Sequence, residues 1–369
     1  MNRYIILLLG IALLSCNPEK NSTQTTSYDF SYSVDTIQID AGNHLFFAGY
    51  GLQQPRLSPD EHFLYFYDNL AHAIEKVDLV NKEYVSTIDM DKEGPKGIPM
   101  PQDYVPAADQ TVFFVVPRNF VKLDENGGLI YFSDKLDNLF DVPDEKKFFQ
   151  SLRISPNQNY LFGMTSTFEQ EQMLGWIDLN DSIYHEVVLD SMKYRDDLVV
   201  LINGGEYNSL IDAVYLNGEI TVFHGDGIDL YTLDPKTEAW IFHDYSLKSV
   251  EKRKPGNYPK NVETGSESFK LMFNQRGKEI NFRSLVYDAS NKRYYRVASK
   301  WTESQDVKDI PYQYLFIFDE DLKLIHEEDL SNFQGKIFDY FVSNGKLWVH
   351  NRETEELEFF VFDFDLKEL

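Results

Sequence analysis

Apolar and aromatic residues of this chain occur mostly in short runs that are separated by turn-forming residues. The clearest runs span residues 63–67, 112–116, 198–202, 314–318 and 359–364. Asn-Gly pairs stand at positions 126, 217 and 344, and this dipeptide is the strongest short signal for a β-hairpin. No stretch keeps a helical period with matching caps over several turns. The pattern therefore predicts an all-β protein.

An acidic residue at the end of an apolar strand recurs along the chain with a rough period. The positions are Asp78, Asp124, Asp178, Asp234, Asp319 and Asp363, and their spacings are 46, 54, 56, 85 and 44 residues. One blade of a β-propeller takes about 40 to 50 residues. The spacing therefore favours six blades, and the gap of 85 leaves room for an insertion or a seventh blade.

Two strand entries match each other and extend the repeat. Residues 57–60 read Leu-Ser-Pro-Asp, residues 154–157 read Ile-Ser-Pro-Asn, and residues 93–97 contain a Gly-Pro connector. These features resemble bacterial β-propellers, and the chain is similar to an uncharacterised six-bladed β-propeller lipoprotein family of Bacteroidetes, of the NHL- or TolB-like kind. The resemblance implies that an N-terminal strand at 32–39 pairs with the last blade. Such closure would remove exposed sheet edges, whereas the structural alternative is a pair of β-sandwich domains.

The first sixteen residues have the layout of an export signal. Arg3 supplies a positive charge, residues 4–14 are apolar, and Ser15 is a small residue before Cys16. The apolar run is too short for a bilayer-spanning helix, which needs roughly 20 residues. Residues 13–16 (Leu-Leu-Ser-Cys) resemble a bacterial lipobox, which implies cleavage before Cys16 and its modification with acyl chains such as palmitate. An ordinary signal peptide or an uncleaved anchor is the alternative.

The chain thus divides into a lipoprotein signal peptide (1–15), a lipidated polar tether (16–29) and a β-propeller domain (30–369). Several acyl chains on one residue give stable anchoring. We therefore expect a lipid-anchored protein of the cell envelope, at the outer membrane, on either its periplasmic or its surface face. Cys16 is the only cysteine, so no intramolecular disulfide can form.

Charge is strongly acidic overall but unevenly distributed. Sixty Asp and Glu against 35 Lys and Arg give a net charge of -25, which argues against nucleic acid as a partner. Residues 248–300 are the exception, with 13 basic and 5 acidic residues. This basic segment begins with an insertion around 248–268, inside the long gap of the repeat. An insertion at that point is expected to form an exposed loop.

The basic segment supplies the candidate binding residues. A site for an anionic glycan or an acidic protein partner would use Lys252, Arg253, Lys254, Arg276, Arg283, Arg293 and Arg296. Arginine offers two-pronged contacts to anions, and Tyr258, Tyr294 and Tyr295 would offer flat faces. The alternative is that these cations only neutralise acidic blades nearby. On one strand, Arg293 and Arg296 would point to opposite faces, so both cannot line one flat site.

No motif for catalysis, cofactor binding or metal binding stands out. The chain has no His-Glu-x-x-His, Gly-x-Ser-x-Gly or phosphate-loop pattern. Residues 224–229 (His-Gly-Asp-Gly-Ile-Asp) favour a glycine turn with solvated carboxylates over a cation loop. The sequence therefore favours a binding or assembly module over an enzyme. An envelope glycan hydrolase or lyase with carboxylates in the propeller channel stays as the alternative, and a sensor that signals to a membrane partner is a third reading.

Overall fold

The structure is a computed structural model that describes residues 28–49, 51–94, 97–116, 119–133, 147–166, 172–301 and 311–369. These residues form 27 β-strands, a 3-10 helix at Asp190–Leu198 and an α-helix, α1, at Glu267–Lys278. The prediction of an all-β protein is confirmed. The expectation of no helix is wrong at α1, which begins where the Ser266 hydroxyl accepts a hydrogen bond from the Phe269 N–H.

Most strands belong to six four-stranded antiparallel sheets, which we number 1 to 6 along the chain. The first strand, β1 (Tyr28–Gln38), belongs to the last of these sheets. Sheet 1 contains β2 (Gln53–Leu57), β3 (Phe63–Asp68), β4 (Ala73–Asp78) and β5 (Glu83–Asp89), and sheet 2 contains β6 (Asp103–Pro106), β7 (Val112–Val116), β8 (Asn119–Leu123) and β9 (Leu129–Phe132). Sheet 3 contains β10 (Lys147–Ile154), β11 (Tyr160–Ser166), β12 (Gln172–Asp178) and β13 (Ile183–Val188).

The second half of the chain adds a small sheet between the larger ones. Here β14 (Val200–Ile202) and β15 (Gly205–Tyr207) precede sheet 4, which contains β16 (Ile211–Leu216), β17 (Glu219–His224), β18 (Leu230–Leu233) and β19 (Trp240–His243). The short β20 (Asn261–Val262) pairs with β14 and completes the small sheet. Sheet 5 contains β21 (Asn281–Asp288), β22 (Arg293–Lys300), β23 (Tyr312–Phe318) and β24 (Leu324–Asp329), while β25 (Tyr340–Ser343), β26 (Lys346–His350) and β27 (Glu358–Glu368) form sheet 6 with β1.

The aspartates of the repeat mark one turn in most sheets. Asp78, for example, ends β4 and accepts hydrogen bonds from the N–H groups of Val80 and Asn81 at 2.8 and 2.7 Å. Asp319 follows β23 and accepts a hydrogen bond from the Asp321 N–H at 3.1 Å. A carboxylate that binds the backbone two or three residues later stabilises a turn. Five of the six repeat positions therefore mark the turn between the third and fourth strands, whereas Asp363 lies inside β27, opposite Ser33.

The gap of 85 residues between Asp234 and Asp319 contains an insertion between sheets 4 and 5. Within its described part, residues 244–280 carry β20 and α1 and include no further four-stranded sheet. The insertion is not an exposed loop throughout, because Lys254, Tyr258 and Met272 are buried. Met272 packs with Tyr258 on the small sheet.

The matching Ser-Pro entries are equivalent turns between first and second strands. The Ser58 hydroxyl accepts a hydrogen bond from the Phe63 N–H at 2.9 Å, and the Ser155 hydroxyl accepts one from the Tyr160 N–H at 3.0 Å. Both serines therefore start the second strand of their sheets in the same way. The Gly-Pro connector at 93–97 includes residues 95 and 96, which lie outside the described residues.

Each four-stranded sheet packs against two others. Buried apolar clusters lie between sheets 1 and 2, 2 and 3, 3 and 4, 4 and 5, 5 and 6, and 6 and 1. Both faces of every sheet are thus covered, and the sheets follow one another in cyclic order. Antiparallel four-stranded sheets packed face to face in this way form a β-propeller.

The two ends of the described chain meet in sheet 6. Strand β1 pairs antiparallel with β27 over its full length, from Tyr28 opposite Glu368 to Gln38 opposite Glu358. Alternate residues of β1, including Val34, pack on the cluster between sheets 5 and 6. The residues between them face solvent, which is the period of a strand with one buried face.

Ion pairs connect the first strands of neighbouring sheets. Arg56 on β2 pairs with the buried Asp103 on β6. Arg153 on β10 binds both carboxylate oxygens of Asp212 on β16 at 2.8 Å, and one of its terminal nitrogens lies 4.0 Å from Asp103. Four successive sheets are therefore joined by alternating positive and negative groups. No helix among the described residues is long and apolar enough to cross a membrane.

The pairing of β1 with β27 predicts a difference between two neighbouring substitutions. Val34→Asp places a charge on the buried face of β1, so we expect the free energy of unfolding to fall by about 2 to 3 kcal/mol. Ser33→Lys places a charge on the exposed face, opposite Asp363, and should lower it by less than about 0.5 kcal/mol. Urea denaturation of both variants measures the difference, and equal effects would contradict the pairing.

Candidate functional site

A cavity of about 300 Å³ lies where the insertion meets sheets 4 and 5. Its walls come from the end of β15, the last turns of α1, the loop that carries Lys254, and the strands β21 and β22 of sheet 5. Three cationic side chains line it, namely Lys254, Arg276 and Arg283. All three belong to the basic segment from which the sequence predicted an anion site.

A buried carboxylate holds two of these cations. Asp226 lies 3.1 Å from the Lys254 Nζ and 3.4 Å from an Arg276 terminal nitrogen, and it also accepts a hydrogen bond from the Ser209 hydroxyl at 2.6 Å. Asp226, Lys254 and Arg276 are all buried. Arg276 is further held by the Tyr258 hydroxyl at 3.1 Å. These contacts fix the back wall of the cavity.

Two cations share the Asp226 carboxylate, and this arrangement shapes the pKa of Asp226 and of Lys254. Burial by itself would raise the pKa of Asp226, but Lys254, the Ser209 hydroxyl and Arg276 outweigh it and lower that pKa. Burial lowers the pKa of Lys254, and Arg276 adds to this effect although Asp226 opposes it. Both cations stabilise the charged form of the Asp226 carboxylate, whereas Lys254 and Arg276 repel each other. The three groups together keep one positive charge at the cavity wall.

Arg283 differs from the other arginines on the first strands of the sheets. Arg56 and Arg153 each pair with a carboxylate, but no carboxylate of the described residues lies within ion-pair distance of Arg283. Its Nε–H is buried without a hydrogen-bond partner, and its Nη2 reaches only the Ser299 hydroxyl, at 3.4 Å. Burial lowers the pKa of Arg283, yet a guanidinium stays protonated in proteins. The Phe338 ring lies 4.7 Å from the guanidinium carbon, and Asp339 acts on it from beyond ion-pair distance. The cavity therefore contains a positive charge that no carboxylate of the described residues contacts directly.

Aromatic rings and carboxamides complete the lining. Tyr207 and Phe273 are 39% and 38% exposed, and their rings contact each other at 5.8 Å, while Trp301 follows β22. Asn208 and Asn281 add polar groups. The sequence does not mark these residues as a site, because they come from three distant parts of the chain and belong to no local motif.

The first predicted residues of the basic segment are mostly engaged with carboxylates. Lys252 binds Asp244 at 2.7 Å, and Arg253 binds Asp229 at 2.6 Å and lies over the Tyr194 ring at 3.7 Å. Both therefore contact acidic residues next to sheet 4, as the neutralisation alternative expects. Neither lines the cavity.

Arg293 and Arg296 lie on opposite faces of β22, as expected, and both lie outside the cavity. Arg293 donates to the Leu366 carbonyl at 3.1 Å. Arg296 is fully buried and donates to three carbonyls, those of Arg283, Ile228 and His224, at 2.9, 2.7 and 2.8 Å. The Arg296 guanidinium thus connects sheets 4 and 5 and cannot reach a ligand. The prediction that Arg296 belongs to a ligand site is therefore corrected.

The three predicted tyrosine faces are also unavailable. Tyr258, Tyr294 and Tyr295 are 6%, 2% and 1% exposed, because each packs in a core cluster. The Tyr258 hydroxyl donates to the Leu198 carbonyl at 3.1 Å instead. The exposed rings of the site are those of Tyr207 and Phe273.

The stretch 224–229 is a turn, but its carboxylates are not solvated. Asp226 and Asp229 are 1% and 0% exposed. They are the partners of Lys254 and Arg253, so the stretch supplies the anions that allow the basic segment to be buried. Among the described residues, no group of three or more His, Cys, Asp or Glu could hold a metal ion.

A second cavity, of about 320 Å³, lies between sheets 6 and 1. Phe46, Phe47 and Leu70 form much of its wall, with Glu355 and Glu356 at the rim. No unpaired cation or motif from the sequence lies there. The cavity with Arg283 is therefore the better candidate for a functional site.

The fold and the cavity define this protein as a β-propeller with a basic pocket beside sheets 4 and 5. Among solved structures it is similar to a protein of Bacteroides vulgatus, with 13% identity, a TM-score of 0.65, and coverage of 94% of this chain and 100% of that one. That protein is described as a member of the DUF4221 family. At such low identity the likeness shows the fold alone.

The chain belongs to that same family, Domain of unknown function (DUF4221), which matches residues 27–329. Two further structures are an auxiliary nutrient binding protein of Bacteroides thetaiotaomicron (10% identity, TM-score 0.46, 91% of this chain and 77% of that one) and the Neurospora crassa Pan2 WD40 domain (11%, 0.44, 89% and 95%). Scores below 0.5 are too low to support an inference. No protein of the curated set matches the sequence.

The buried histidine next to the site predicts a loss of stability in mild acid. Burial, together with Arg195 and Arg296, holds the pKa of His224 well below its usual 6.5. Below pH 6.5 His224 is therefore protonated in the unfolded chain but stays neutral in the folded chain. This group does not reduce the free energy of unfolding above pH 6.5, but it reduces it progressively as the pH falls below that value. We expect a decrease of up to about 1.4 kcal/mol per pH unit from this group.

Urea denaturation between pH 7.5 and pH 5, in steps of about half a unit, measures this loss. His224→Gln removes the titrating group, so its free energy of unfolding should depend less on pH than that of the wild type, whatever its value at pH 7.5. Other titrating groups, such as Asp229, are present in both the wild type and the variant, so they contribute to the pH dependence of both proteins. Identical pH slopes would contradict the assignment.

Proposed function

We propose that this protein is a lipid-anchored binding module of the cell envelope that takes an anionic ligand in the cavity of Lys254, Arg276 and Arg283. The observation that carries the proposal is Arg283, a largely buried guanidinium without a carboxylate partner among the described residues. A buried charge without a partner costs several kcal/mol. An anionic ligand would remove that cost, since it would supply the missing acceptor.

Binding is favoured over glycoside hydrolysis by the composition of the cavity. Hydrolysis of a glycosidic bond uses two carboxyl groups placed on either side of that bond. The described residues that line the cavity include no Asp or Glu, and the nearby Asp226 is held between two cations with a lowered pKa. These groups suit recognition of an anion better than acid–base catalysis.

The proposal includes a closed six-bladed propeller. Its support is the cyclic order of the six apolar clusters and the pairing of β1 with β27. In this arrangement each four-stranded sheet is one blade, and the N-terminal strand closes the last. The insertion at 244–280 then stands beside one pair of blades and forms one side of the pocket.

The lipid anchor rests on the sequence, because Cys16 lies outside the described residues. Its support is the quartet at 13–16 and the absence of any other cysteine from the chain. Anchoring would display the pocket at the outer membrane, where an anionic glycan or an acidic protein could meet it.

Anion binding can be tested by thermal stability. At equal ionic strength, we expect at least one of phosphate, sulfate, acetate and glucuronate to raise the Tm of the full chain above its value in chloride. A ligand at a hundredfold excess over its Kd adds about 2.7 kcal/mol. Arg283→Gln should lose the effect, whereas Arg293→Gln, the same change outside the cavity, should keep it. If no anion raises the Tm of the wild type, the proposal fails.

The anchor can be tested by labelling cells with a fatty-acid analogue. The wild type should carry the label and sediment with membranes, whereas Cys16→Ser should lose both properties because serine has no thiol to acylate. Ser15→Ala is the control, since alanine is also a small residue at the position before the cleavage site. Equal labelling of the wild type and Cys16→Ser would refute the anchor.

A further inference from the structure

The free hydrogen-bonding groups of the cavity limit which anion it can take. Both terminal nitrogens of Arg276 are engaged, by the Leu198 carbonyl, the Tyr258 hydroxyl, Ser209 and Asp226. The terminal nitrogens of Arg276 therefore add positive charge to the cavity but donate no hydrogen bond to a ligand. Arg283 has a single long contact, from Nη2 to Ser299, so its terminal nitrogens can donate to a ligand, whereas its Nε–H is buried and cannot be reached from the cavity. It is thus the main donor, and its fork of N–H groups matches a carboxylate in two-pronged geometry.

Lys254 can contribute one more donor. Its Nζ contacts the Asp226 carboxylate at 3.1 Å and the Asn281 carboxamide oxygen at 3.4 Å. An ammonium group has three N–H bonds, so one is left for a ligand. Because Asp226 compensates much of this charge, the positive charge available to a ligand is centred on Arg283. A single negative charge is therefore the best match.

The orientation of α1 disfavours a phosphate. Phosphate sites commonly use the N-terminus of a helix, where free N–H groups and the helix dipole favour negative charge. Here Phe273, Arg276 and Gly277, from the C-terminal half of α1, line the cavity. This end has partial negative charge, and its Gly277 carbonyl already accepts a hydrogen bond from the Trp301 N–H at 3.2 Å. It therefore opposes a doubly charged anion.

The remaining lining fits a hydroxylated ring. Tyr207, Phe273 and Trp301 offer apolar ring faces with a polar edge on Tyr and Trp. Asn208 and Ser299 can donate to and accept from hydroxyl groups. A volume of about 300 Å³ is at the lower end of the range for small-ligand sites. This size suits one ring rather than a long ligand enclosed on all sides.

We propose that the cavity binds a hexuronate, which is a sugar ring with one carboxylate, either free or at the end of a glycan chain. The carboxylate pairs with Arg283 and the third N–H of Lys254. The ring lies against the aromatic side chains, and its hydroxyl groups bond to Asn208 and Ser299. This assignment rests on the proposed function, because it names the class of anion for the same cavity.

Isothermal titration of the full chain in a non-ionic detergent tests the assignment, with sodium glucuronate, glucose and inorganic phosphate as probes. We expect glucuronate to bind at least about tenfold more tightly than glucose, which lacks the carboxylate. Phosphate at the same concentration should not displace glucuronate. Trigalacturonate and galacturonate then separate a chain end from a free sugar, according to which binds more tightly.

Substitutions link the binding to the named groups. Arg283→Gln should weaken glucuronate binding at least about tenfold, because it removes the charge and the fork, while Arg293→Gln on the same sheet should not change it. Arg283→Lys keeps the charge but loses the fork, so it should also bind more weakly, and it serves if the glutamine variant does not fold. Trp301→Ala should weaken glucuronate and glucose by the same factor, since both contain the ring.

Each contrary result has a distinct meaning. If phosphate or acetate binds more tightly than glucuronate, or glucose binds equally well, the hexuronate assignment is wrong while an anion or ligand site stands. If neither glucuronate nor any anion of the thermal panel binds, the proposed function fails as well. Equal loss in Arg283→Gln and Arg293→Gln would place the site outside this cavity and overturn the assignment.

Discussion

Each four-stranded sheet of this protein has two apolar faces, and both must be covered. Six apolar clusters between neighbouring sheets meet this demand. The chain, however, has two ends, and β1 joins them by pairing with β27. Apolar clusters already cover both faces of sheets 4 and 5. The residues between sheets 4 and 5 therefore pack beside them, and the pocket forms where they meet.

Burial of the basic insertion depends on carboxylates from sheet 4. Asp226 and Asp229 are fully buried and hold Lys254, Arg276 and Arg253. A buried cation without such a partner would be costly. The pairing is incomplete, since two cations share Asp226 and Arg283 has no carboxylate among the described residues. An acidic protein with a net charge of -25 thus contains one pocket of the opposite sign.

The sequence could predict part of this site, for a physical reason. Local composition identified the basic segment that contains Lys254, Arg276 and Arg283. Composition could not distinguish these three cations from Arg296. Arg296 has the same chemistry, but its guanidinium donates to three backbone carbonyls of sheets 4 and 5. Nor could it find Tyr207 or Trp301, because nothing near them in sequence marks a pocket. Which cation is free depends on partners that lie tens of residues away.

What the sequence by itself determined is the local architecture, namely short strands, Asn-Gly hairpins, the turn aspartates and the period of the sheets. The strands and turns depend on residues two to five positions apart, so their physical causes are contained in short stretches of chain, and the period follows from the recurrence of these turns every 46 to 85 residues. The tertiary structure alone decided which carboxylate meets which cation, that 267–278 forms a helix on the small sheet, and that one guanidinium faces a cavity unpaired. Charge pairing acts through space, and its outcome is set by packing between distant strands.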